Sequence, residues 1–195
     1  MTTTEIALLS TCIGASAGIF SQIIANVLRN KTDKQKIIFD CISEERKLAH
    51  LLYIRANRLE KIQITTEYYY QLSVIESEKE ERERHTLNYG DEIRLGGNAF
   101  SEYTSTLGDY CKNIYLLMLH TQNSKEMEAI LSQIISHKFD DYLNAFEKID
   151  IYPELFESYS KLIKLVDTKL EFYKQLLNDM QKQIQIEVKN IDEYD

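Results

Sequence analysis

Hydrophobic and polar positions alternate along this chain in two regimes. Residues 6–28 form an unbroken stretch of 23 residues with no charge, no Pro and ten large aliphatic or Phe side chains. At 1.5 Å per residue it reaches past the roughly 30 Å of a hydrocarbon core, so the pattern predicts a single transmembrane helix. From Lys31 onward the apolar positions recur at three and four residues instead, which predicts amphipathic helices and no strand. The fold expected is all-α: a membrane anchor over 1–30, then a cytoplasmic antiparallel helical bundle over 31–195 with a long first helix.

Two other readings of the first stretch are weaker. A signal peptide would carry positive charge ahead of the apolar run, and Met1-Thr2-Thr3-Thr4-Glu5 has none. A buried N-terminal helix of a soluble bundle would explain why Gln22 and Asn26 are tolerated, but not the length. The flanks set orientation. One acid precedes the run, and Arg29, Lys31, Lys34 and Lys36 follow it, so the N-terminus is expected outside and the body in the cytoplasm, with these four cations against anionic lipid headgroups.

Within the span, Ser10, Gly14, Gly18, Gln22 and Asn26 recur every four residues on one ridge, and Gly14-Ala15-Ser16-Ala17-Gly18 holds a GxxxG pair. Small residues let two helix backbones approach closely, and the two amides are better bonded across a helix pair than left against lipid. A homo-oligomer is therefore expected; packing of the ridge on the chain's own next helix is the alternative.

Gly and Pro are scarce, so the remaining punctuation divides the body: Asn88-Tyr89-Gly90-Asp91, Gly96-Gly97-Asn98, Thr121-Gln122-Asn123-Ser124 and Ile151-Tyr152-Pro153. Four helices follow, over about 34–85, 100–120, 125–148 and 154–189, with a bend in the first near Ile64-Thr65-Thr66, where β-branched residues cluster. The last carries a heptad seam of Phe156, Tyr159, Ile163, Val166, Leu170, Tyr173, Leu177, Met180 and Ile184. Stripes through Phe100, Tyr103, Leu107, Tyr110, Ile114 and Leu117, and through Met127, Leu131, Ile134, Phe139, Tyr142 and Phe146, are expected to pack on it.

Charge adds one surface. Glu76-Ser77-Glu78-Lys79-Glu80-Glu81-Arg82-Glu83-Arg84 reads first as a solvated helix face laced with ion pairs, and second as a docking face for a basic partner. Tyr68-Tyr69-Tyr70 just upstream surrounds most of a turn, so Tyr68, Tyr69, Tyr70, Glu76 and Glu80 form a candidate partner surface.

Reactive chemistry finds little support. His50, His85, His120 and His137 are scattered without metal-ligand spacing, and His137 with Asp140 and Asp141 lacks further ligands. Cys12, Cys41 and Cys111 show no CxxC pair and are expected reduced; a Cys111 and His120 nucleophile has no local support. Gly96-Gly97-Asn98 is a turn before it is an anion cradle, and no phosphate-binding or nucleophile-elbow motif occurs. No cofactor and no metal are expected. A net charge of −8 argues against nucleic acid as a partner. These features together point to a non-enzymatic membrane-anchored scaffold or adaptor, with a pore-forming or membrane-disrupting effector as the alternative and a soluble all-α protein as the third.

Overall fold

The computed structural model describes residues 31–121, 124–139, 142, 145, 146 and 149–194, of which 31–33 and 190–194 are described by backbone only. The transmembrane helix expected over 1–30, and with it Ser10, Gly14, Gly18, Gln22, Asn26 and Arg29, lies outside these residues. Among the described residues no helix is long and apolar enough to cross a membrane.

Every described element is helical: α1 (Lys31–Ile75), α2 (Lys79–Met118), α3 (Lys125–Ile135), α4 (Tyr152–Lys169) and α5 (Glu171–Tyr194). The long helices pack antiparallel. The chain divides into two compact units. Unit 1 takes the described residues of Met1–Leu51, Ser105–Ser136 and Lys174–Asp195; unit 2 takes Leu52–Thr104 and His137–Tyr173.

The long first helix is present, but its end differs from the expectation. α1 runs unbroken through Ile64-Thr65-Thr66, where the Thr65 and Thr66 hydroxyls each donate at 2.8 Å to the carbonyl four residues back, a bond that tends to bend a helix without ending it. The interruption comes at Glu76-Ser77-Glu78, inside the run read as one solvated helix face. There the Arg82 guanidinium donates to the Glu76 carbonyl at 3.0 Å and to the Ser77 carbonyl at 3.1 Å. The Glu76 carboxylate accepts the Glu78 N–H at 3.0 Å. Side chains thus satisfy backbone groups at the joint that no helix serves.

The two glycine-bearing stretches expected to be turns are helix interior: α2 runs through Gly90, Gly96 and Gly97. No glycine among the described residues has positive φ, and a Cβ at Gly90 or Gly97 would meet nothing within 4 Å. Each glycine costs an exposed helix about 1 kcal/mol against Ala, too little to end a 40-residue helix whose inner face is packed.

The third helix is shorter than its pattern. It stops at Ile135, and Phe139, Tyr142 and Phe146 lie beyond it. Tyr142 and Phe146 are buried all the same, each accepting a turn bond of 3.0 Å from the N–H three residues on, at Ala145 and Ile149. Apolar spacing of three and four was satisfied by single turns instead of a continued helix. The last predicted helix is two helices joined at Leu170, and Pro153 falls in the first turn of α4 as expected.

Unit 1 buries Ile38, Cys41 and Leu48 of α1 against Tyr110, Ile114 and Leu117 of α2, Met127, Leu131 and Ile134 of α3, and Leu177, Met180 and Ile184 of α5. Unit 2 closes around Leu52, Ile64 and Tyr68 of α1, Tyr103 of α2, Phe146, and Leu155 and Val166 of α4.

Candidate functional site

The end of α1 is where aromatic and acidic features meet, and the structure separates the three neighbouring tyrosines. One turn of helix spans 3.6 residues, so consecutive rings point about 100° apart. Tyr68 is buried, stacked on Tyr159 of α4 at 4.4 Å between centroids and edge-on to Phe146 at 6.4 Å. Burial is the leading cause that pushes its hydroxyl well above the usual phenol range, with the Tyr152 hydroxyl next. Tyr68 therefore belongs to the core of unit 2 and not to a partner surface. Tyr69 is half-buried beside His85, with ring centroids 6.4 Å apart. Tyr70 alone of the three is exposed, at 43 %, with its ring 5.5 Å from that of Tyr89. One turn on, Val74 is 61 % exposed. Glu76 is half-buried and Glu80 exposed.

Of the cations in the acidic run, Lys79 lies 3.8 Å from Glu83, Arg84 pairs with Glu81 and Arg82 holds the joint. The two ion pairs face solvent and have a small stabilising effect. The exposed aromatic and aliphatic side chains Tyr70 and Val74 thus stand beside a stretch of five Glu and three cations.

The heptad seam is split between the units. Val166, Leu170 and Tyr173 are buried in unit 2, and Leu177, Met180 and Ile184 in unit 1. Tyr159 and Ile163 are half-buried, and Phe156 is 53 % exposed, so the first turns of the seam are only partly covered. Of the cations expected at lipid, Lys31 opens α1, Lys34 is half-buried and Lys36 exposed.

The groups weighed for chemistry are shielded. Burial pushes the Cys111 thiol up to about 12 and the Cys41 thiol up to about 11, the direction opposite to an activated nucleophile, and both are free of disulfide. Burial, with Lys34 second, lowers His120 below the usual imidazole range. His137 packs against Tyr173 at 4.5 Å between centroids, while Asp140 and Asp141 lie outside the described residues. Among the described residues no three His, Cys, Asp or Glu could share a metal ion. Gly96 and Gly97, inside α2, leave no helix terminus for an anion.

Two polar clusters went unread in the sequence. In unit 1, Glu45 is 2 % exposed and accepts from the fully buried Tyr110 hydroxyl at 3.2 Å. In unit 2, Glu60 is 2 % exposed and accepts from the buried Tyr142 hydroxyl, to which Lys169 Nζ donates at 3.2 Å while lying 4.6 Å from the ring centroid. The signal was available: Ile38, Cys41, Glu45, Leu48, Leu52 and Ala56 step at three and four residues, which places Glu45 in the apolar stripe of α1. A surface groove of about 490 Å³ in unit 2 is bordered by Ile54, Lys61 and Ile62 of α1 and by Glu92 and Leu95 of α2.

Comparison of the chain with protein-family models, with curated proteins and with solved structures gives no match.

Proposed function

We propose that this protein is a membrane-anchored, self-associating helical adaptor without catalytic chemistry. The apolar run 6–28 holds it in the bilayer as a single pass, with the N-terminus outside and the body in the cytoplasm, and the Ser10, Gly14, Gly18, Gln22 and Asn26 ridge joins copies. Lys34 and Lys36, at the start of α1, lie at the headgroups. The observation that carries the reading is the end of α1, where Tyr70 and Val74 are exposed on one helix face beside Glu76 and Glu80. An apolar spot with an acidic rim suits a protein partner that presents an apolar anchor flanked by Lys or Arg, since such anchors dominate binding and rim charges steer encounter.

Carbonate washing of membranes from cells that make the full chain tests the anchor. The protein is expected in the pellet, and Gly14→Cys or Gly18→Cys is expected to yield crosslinked dimers on oxidation. Recovery of the intact chain in the supernatant, monodisperse in plain buffer, would overturn the proposal.

A further inference from the structure

Glu45 is a carboxyl taken out of water, and among the described residues no salt bridge to it is formed. Its residue is 2 % exposed, and the hydroxyl that bonds it, on Tyr110, is fully buried. The groups that face it are neutral: Tyr110 on α2, with the Cys111 thiol next to it, and the Gln181 amide on α5. On its own helix the cation that acts on it is Arg46, whose residue is exposed, and Lys47 is taken by Glu44 at 3.1 Å. Two other cations of unit 1 have carboxylate partners of their own. Lys112 of α2 pairs with Asp109 at 3.2 Å, and Lys182 of α5 with Asp179 at 3.0 Å. Glu187, a second buried carboxylate of unit 1, accepts the Gln183 amide at 3.1 Å, and on α3 Glu128 acts on Tyr115.

A buried ion with only neutral donors is costly, and the less costly form is the acid. We propose that Glu45 is a proton switch of unit 1: neutral, it lets α1 close on Tyr110 and Gln181; ionised, it loosens the packing of the unit at that level. Burial raises its carboxyl to about 7, against smaller lowering by Tyr110, Arg46 and Gln181, which sets the switch in the neutral range. The closed unit holds the proton more tightly than the open one. Closure is therefore favoured fully below the ordinary glutamate value of 4.5 and progressively less as pH rises to about 7.

The test uses the full chain, in buffer or in whichever detergent keeps it monodisperse. Carbon-13 NMR of glutamate side-chain carboxyls is expected to show one, absent from Glu45→Gln, that titrates near neutrality. Hydrogen exchange is expected to show the opening of unit 1 growing about tenfold from pH 6 to pH 8 beyond the change in Glu45→Gln, the ratio that carboxyls of 7 closed and 4.5 open require. Tyr110→Phe removes a donor to the ionised form and is expected to move the titration upward. A Glu45 signal that titrates near 4.5 in the native protein, or equal pH dependence in the two chains, would overturn the proposal. Where the Glu45→Gln chain does not fold, the Glu45 signal is assigned by its displacement in Tyr110→Phe, and its titration in the native protein decides between these outcomes.

Discussion

Both units bury a glutamate of α1 under a tyrosine hydroxyl, and they compensate for it differently. In unit 2 the acceptor chain ends on a cation: Lys169 donates to the Tyr142 hydroxyl that in turn serves Glu60. In unit 1 the corresponding chain ends on the Gln181 amide, and Glu45 meets no cation within salt-bridge reach among the described residues. The same local motif, an acid in an apolar stripe bonded by tyrosine, thus gives one unit a charge-assisted network and the other an acid whose neutral form is preferred. Aromatic content differs too. Unit 2 stacks Tyr68 on Tyr159 and sets Tyr103 edge-on to Phe139 at 4.9 Å, whereas the helices of unit 1 meet mainly through aliphatic side chains around Tyr110.

The contrast can be pressed by substitution. Phe146→Ala removes a fully buried ring that edges Tyr68, and should cost about 3–5 kcal/mol in denaturant unfolding, with exchange protection lost first across 52–104. A cost under about 1 kcal/mol would mean that unit 2 does not depend on its aromatic layer. Next in size is the acid of unit 1. Native stability should decline by up to about 3 kcal/mol as pH rises from 4.5 to about 7, and Glu45→Gln should abolish that decline. Lys169→Met should lower stability by about 1 kcal/mol through the lost bond and ring contact, a loss that calorimetry at fixed pH would detect. Smallest and opposite in sign, Gly97→Ala should raise stability by about 0.5–1 kcal/mol, because the added methyl meets nothing and the helix gains propensity. No gain there would show that the open face of α2 at Gly97 is in fact occupied.

What could be read from the sequence depended on which interactions decide each element. Helical class followed from apolar spacing, and the seam residues Val166, Leu170, Tyr173, Leu177, Met180 and Ile184 are buried as that spacing implied. Several boundaries did not follow, although Lys125 and Pro153 mark helix starts as expected. Asn88 to Asn98 carries the local marks of two turns, yet packing of Ala99 and Tyr103 below and His85 above keeps α2 whole. Conversely, nothing local marks Leu170 as a joint, and Tyr142 and Phe146 keep helical spacing while each accepts a turn bond outside any helix. Tyr68 and Tyr70 are identical in type and two residues apart, so only the position of α4 could tell the core ring from the exposed one. Glu45 was the readable case, an acid in register with Cys41 and Leu48, and Tyr110, 65 residues away, was not.

Cys41 and Cys111 both belong to unit 1, and both thiols are held so far above neutrality that little thiolate exists in the closed state. Maleimides and haloacetamides consume thiolate, so their rate of attack at these two positions counts the moments when unit 1 parts and unit 2 stays silent. The chain carries an alkylation clock for one of its halves, readable by mass spectrometry without any engineered label.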